Sequence, residues 1–155
     1  MASTITAAAL TVTITESIEL NGKDQGGTNT LSIGSINEIS KRIVTVSTTE
    51  ATILTFSSAI GQGTYVAANI RYIRFTNLDD TYYIMLTFKD EDNTEFRVKI
   101  DAGQSFIFNG DNSGGVVDTM KANGSALSSG LADLYDVTAD ADTASCDLEI
   151  FIASV

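Results

Sequence analysis

The chain has 155 residues, a length that suits one domain able to bury a core without metal or disulfide staples. It contains no His, no Trp and no Pro and has one Cys, so Ser-His-Asp and Cys-His nucleophile systems cannot be built, nor can zinc sites based on His or several Cys. Nine basic residues face 20 acidic ones, and the formal charge of -11 repels a polyanion such as DNA or an anionic membrane. Hydrophobic residues still make up 43% and mean hydropathy is +0.11, which marks a folded, Thr-rich, strand-prone chain and not an acidic disordered tail. The first ten residues lack the basic and apolar regions of a signal peptide, so synthesis in the cytoplasm is expected, with no membrane-spanning run.

Period-two alternation runs along most of the chain. Leu10, Val12 and Ile14 alternate with Thr11, Thr13 and Thr15, and the pattern continues through Ile18 and Leu20 to a turn at Asn21-Gly22. A Gly-rich loop at Gly26-Gly27 leads to a short segment at 31–36 and a firmer strand at 42–48. Ser47 to Glu50 then turns the chain into a strand at 51–57. Strands follow at 70–77, 82–89 and 95–100, and the turn-forming loop Asp90-Glu91-Asp92-Asn93-Thr94 closes a hairpin between the last two. Segments 104–109 and 146–153 bring the total to eight or nine short strands. That spacing predicts a single all-β domain over 1–155, a jelly-roll-like β-sandwich. Cys146 shares the even face of its segment with Leu148, Ile150 and Ile152, which predicts a buried small hydrophobe.

One region, 109–142, breaks the pattern. It is rich in Gly, Ser and Asp, and Leu127, Leu131 and Leu134 fall at helical spacing, so a long excursion with one short helix at 125–134 is expected. The excursion is either a contact arm reaching a neighbour or a surface segment packed on its own fold.

Several strands carry apolar residues on both faces. Tyr83 and Met85 back the Tyr82, Ile84, Leu86, Phe88 face, Ile107 backs Phe106 and Phe108, and Ile70 and Tyr72 back Ile73 and Phe75. Something has to cover these second faces: another subunit is the favoured reading, and the excursion is the alternative. Arg71, Arg74, Lys89, Arg97 and Lys99 are clustered, whereas the stretch after Lys99 is acidic apart from Lys121. Copies of the chain could therefore meet basic stretch to acidic portion. Tyr83, Met85, Ile107, Arg71 and Arg74 are the interface candidates. Asp90, Asp92 and Glu95 place acids as calcium loops do, but they lack the glycine and closing Glu of an EF-hand, so the loop is read as a solvated hairpin tip. The Gly61 and Asn109 to Gly115 segments lack the Lys and helix of a phosphate loop and are read as turns. No catalytic residue, metal or cofactor is assigned.

Ser35-Ile36-Asn37-Glu38-Ile39, Lys41-Arg42-Ile43-Val44-Thr45-Val46, Ile70-Arg71-Tyr72-Ile73-Arg74-Phe75-Thr76-Asn77, Asp101-Ala102-Gly103-Gln104-Ser105-Phe106 and Cys146-Asp147-Leu148-Glu149-Ile150-Phe151-Ile152-Ala153 resemble small virion structural proteins of marine tailed phages, of the cyanophage-like kind. The resemblance implies a non-enzymatic β-rich protein present in many copies, first of all a capsid decoration (cement) protein, alternatively a tail, neck or fibre component. A carbohydrate-binding β-sandwich module is the reading from a different class, and the absence of Trp weighs against it. The partners implied are further copies of the chain and the major capsid protein or another virion protein, with no nucleic acid and no membrane. The location implied is the virion, after synthesis in the host cytoplasm.

Overall fold

The computed structural model describes residues 4–61, 63–126 and 130–155. Among the described residues thirteen strands follow one another: β1 (Ala8–Glu16), β2 (Glu19–Leu20), β3 (Lys23–Asp24), β4 (Gly27–Ile36), β5 (Glu38–Val46), β6 (Ala51–Ser57), β7 (Tyr65–Val66), β8 (Ile70–Asn77), β9 (Ile84–Asp90), β10 (Glu95–Ile100), β11 (Ser105–Asn109), β12 (Leu134–Ala141) and β13 (Cys146–Ser154). One 3-10 turn at Ala67–Asn69 precedes β8. Among the described residues no helix is long and apolar enough to cross a membrane.

Two sheets carry the body, one in the order β11-β8-β13-β5 and the other in the order β10-β9-β12-β6-β7. Every pairing in them is antiparallel except the short β6–β7 contact. The period-two alternation turns one side of each strand inward. Ile73 and Phe75 of β8 and Leu148, Ile150 and Ile152 of β13 thus share a core with Leu54 and Phe56 of β6, Leu86 and Phe88 of β9 and Val137 and Ala139 of β12. Phe88 sits at its aromatic centre, with the rings of Phe75, Phe106 and Phe108 at 5.7, 5.3 and 5.4 Å and that of its cross-strand partner Phe96 at 4.8 Å. These separations are those at which aromatic pairs add to plain burial. Cys146 is buried on the same inner side, opposite Val46, and burial pushes its thiol up.

The region 109–142 departs from expectation. Leu127 lies outside the described residues, and the described part of 125–134 is not helical. Leu131 is 45% exposed, while Leu134 opens β12, a strand inserted between β9 and β6. The backbone of Ala132 is satisfied across the loop instead of along a helix: its N–H reaches Met120 O at 2.8 Å, and its carbonyl accepts from Met120 N at 3.0 Å. Val116 and Met120 drop from the same loop into the main core. The excursion is therefore packed on its own fold. Gly115 holds it close, because its φ of +69° and the 2.3 Å that would separate a Cβ from Ala67 O leave no room for a side chain.

The amino-terminal third also differs. β4 starts at Gly27, earlier than the expected 31, and β5 covers 38–46 in place of 42–48, since its full length pairs with β13 from Glu38↔Ser154 to Val46↔Cys146. β1 and β4 form a ribbon of their own, apart from both sheets, whose continuation is the small β2–β3 hairpin. Asn21 and Gly22, at φ of 53° and 74°, make its turn as Asn-Gly predicts.

Candidate functional site

The ribbon has two unlike faces. Thr13–Thr30 and Thr15–Thr28 stand opposite one another on the polar face, with hydroxyls 3.5 and 3.3 Å apart. On the other face the register pairs Leu10 with Ile33 and Val12 with Leu31. The inner end of this apolar face packs on the outside of the β11-β8-β13-β5 sheet, where Leu10, Val12, Ile33 and Ile36 meet Tyr72, Ile107, Phe151 and Ala153. The second apolar face at Tyr72 and Ile107 is thus packed by the chain's own first strands, an element that neither the excursion nor the subunit reading anticipates. Apolar area is removed from water without a partner.

That cover is incomplete. Ile14 and Leu31 remain 45% and 41% exposed, Ile18 and Leu20 near the tip are exposed, and so are Ile39 and Ile43 on the outward side of β5. Between ribbon and sheet runs a groove of about 630 Å³ lined by Val12, Ile14, Tyr72, Arg74, Ile107 and Phe151. Arg74 stands 6.0 Å from the Phe151 ring and donates to Glu149 at 2.7 Å. Lys41 flanks the same carboxylate at 3.3 Å. The Arg74 hydrogen bond, helped by Lys41, holds Glu149 below the usual carboxylate range. Arg71 does not belong to this surface: it is buried, and its guanidinium donates to Ala68 O at 2.7 Å. Arg71 instead lines a cavity with Ile33 and Ser35 of β4, Asn112 and Val155.

The outside of the other sheet is built from charge. Arg97 bridges Asp140 at 2.7 Å and Glu50 at 3.6 Å and donates to Thr87 Oγ1 at 2.8 Å. Lys99 pairs with Asp101 at 2.8 Å while its ammonium lies 4.5 Å from the Tyr83 ring centre. Hydrogen bonding to Asp142, then its charge, raises the Tyr83 phenol. Met85 is half-buried between cross-strand partners Lys99 and Asp140. Tyr83 and Met85 therefore lie among charged side chains, of which Lys99 lies against both. In the same face, burial raises the Asp136 carboxyl, against the pull of Lys89, and its Oδ1 has no hydrogen-bond partner.

The acidic hairpin divides between two sides. Glu95 pairs with Lys89 and adds to the negative surroundings of Asp136 on the outer face. Asp90 and Asp92 instead line a cavity on the core side, together with Thr94. Asp111 accepts from the N–H groups of Ser113 and Gly114, both at 2.8 Å, which makes 111–115 the expected turn. Those bonds, that of Ser113 first, hold its carboxyl low. The ribbon as a covering element was missed in the sequence; its signal was the Thr alternation continuing on both sides of Asn21-Gly22.

No family model and no curated protein matches the chain. Among solved structures, a chain from the work described as "Bacillus endospore appendages form a novel family of disulfide-linked pili" is similar over 100% of this chain and 95% of that chain, at 9% identity and a TM-score of 0.43.

Proposed function

We propose that the protein is a non-enzymatic structural subunit that works in many copies, and that its place is a phage virion, as a capsid decoration protein. The observation that carries the reading is the ribbon: its inner half is seated, while its outer half holds Ile14, Ile18, Leu20 and Leu31 in water. Exposed apolar residues arrayed on one projecting element are suited to bury against a neighbour. We also infer that the body is an eight-stranded jelly-roll sandwich. Consecutive strands β5, β6, β8, β9, β10, β11, β12 and β13 distribute as β11-β8-β13-β5 and β10-β9-β12-β6, which supports two interleaved Greek keys. Viral capsid and lectin domains both use that architecture, so the fold alone does not choose between them. The aliphatic ribbon favours protein contact over sugar, for which aromatic platforms are the usual equipment.

Sedimentation of the purified chain provides the test. Self-association at micromolar concentration is expected, and the pair Ile14→Asp and Leu31→Asp should shift the species to monomer while the strand-type circular dichroism stays unchanged. A wild-type chain that remains monomeric at about 100 µM and is absent from gradient-purified phage particles by mass spectrometry would overturn the proposal.

A further inference from the structure

β9 ends on Asp90, which alternation places on the core side, away from Thr87 and Lys89, and the residue is 1% exposed. Half of its carboxylate is occupied, since Oδ1 accepts the Thr94 N–H at 2.7 Å and fixes the hairpin turn. The other oxygen, Oδ2, has no hydrogen-bond partner. A buried carboxylate oxygen left bare is costly and calls for a donor, a water or a cation. Asp90 lines a cavity of about 400 Å³ together with Asp92, Thr94, Met120, Lys121 and Ala132.

We propose that this cavity binds a calcium-class divalent cation, with Asp90 Oδ2 as the buried anchor and with Asp92 and Thr94 supplying further oxygens from the same turn. The donor set is all oxygen, which excludes the nitrogen and sulfur preferences of zinc. Calcium accepts six to eight oxygens in loose geometry, including hydroxyl, carbonyl and water, whereas magnesium requires a near-ideal octahedron and gives up water reluctantly. Two carboxylates make a weak site: among the described residues no three acidic, thiol or imidazole groups gather at one point. Lys121 opposes the cation, although its ammonium is engaged by the Gly130 carbonyl. Affinity then falls in the weak range for calcium modules, a dissociation constant of about 10⁻⁴ to 10⁻³ M. Occupancy would tie the β9–β10 hairpin to the loop carrying Met120 and Ala132. This inference stands apart from the virion reading.

Calorimetric titration of the full chain with calcium chloride at constant ionic strength tests it, with thermal unfolding followed in parallel. One calcium per chain is expected, with a rise in melting temperature that magnesium does not reproduce. Asp90→Asn keeps the Oδ1 acceptor for Thr94 and should abolish binding, while Asp92→Asn should weaken it about tenfold. If Asp90→Asn fails to fold, the exposed Asp92 variant decides. No calcium heat in the wild type up to about 10 mM, equal responses to calcium and magnesium, or binding unchanged in the variants would overturn the proposal, and would leave water as the partner of Asp90.

Discussion

The two outer sheet faces start from the same difficulty and resolve it differently. Each carries aromatic or apolar residues where water would favour polar ones: Tyr72, Ile107 and Phe151 on one, Tyr83 and Met85 on the other. On the first, Arg74 stands opposite Ile107 and beside the Phe151 ring, and a separate piece of chain is laid over Tyr72 and Ile107 as well. On the second, Lys99, Arg97, Asp140 and Asp142 surround the apolar residues from adjacent strands, and no segment of the chain is laid over them among the described residues. Apolar residues on an outward face thus do not specify a partner. Charged cross-strand neighbours do not decide it, since Ile107 faces Arg74 and Phe151 faces both Arg74 and Lys41, yet the ribbon is laid over that face.

The strongest way to break this comparison is Tyr72→Ala, which removes the bed of the ribbon. We expect a loss of about 3 kcal/mol in urea unfolding, as for a large buried side chain, with the ribbon amides losing protection from hydrogen exchange before those of β8. Tyr83→Ala should lose markedly less, because its ring lies at the surface and is held by a cation–π contact with Lys99. Equal losses from the two tyrosines would show that the faces are not covered in different ways. Arg97→Ala should change stability by less than about 1 kcal/mol, and by less still at high salt, because its pairs are half-exposed.

Acid separates Glu149 on the first face from Asp136 on the second by sign. The Glu149 pKa is depressed in the folded protein, so its contribution is present above the ordinary carboxylate value and is lost as pH falls through the folded one. The Asp136 pKa is raised, so its cost begins as pH rises past the ordinary carboxylate value and is complete above the folded one. Glu149→Gln should therefore lower the melting temperature at pH 7 and flatten the acid limb, while Asp136→Asn should raise it at pH 7 and change little at pH 3. Parallel shifts in both variants would contradict these environments.

Alternation and turn chemistry made the β6, β8 and β10 segments legible to the residue, because each combines β-branched or aromatic residues with a clear stop. β12 was not legible. Its inward residues Val137, Ala139 and Ala141 are small, its outward ones include Asp136 and Asp140, and it follows a Gly-rich loop, so propensity spoke against a strand. Its register on β9 and β6 overrides that propensity. The leucine spacing that suggested a helix came from residues with unrelated fates. For the cavity, the sequence offered the acidic loop, but only the strand parity of Asp90, which depends on where β9 ends, separates it from Glu95.

The placement of β12 and β13 has a consequence for how the chain is made. Both occupy inner positions, β12 between β9 and β6 and β13 between β8 and β5, and they are the final two strands in order. Thr45 waits for Asp147, a partner 102 positions later. A chain emerging from the ribosome at about 5–20 residues per second therefore carries β5 and β6 for seconds before their antiparallel partners exist. The β9–β10 and β8–β11 pairs can form as the chain emerges, but closure of either sheet cannot precede β12 and β13. It awaits nearly the whole sequence and then closes long loops, as in β proteins of high contact order that fold in milliseconds to seconds. During that interval the open edges of β5 and β6 are available to any other strand, so the yield of native protein should rise as the number of nascent chains is reduced.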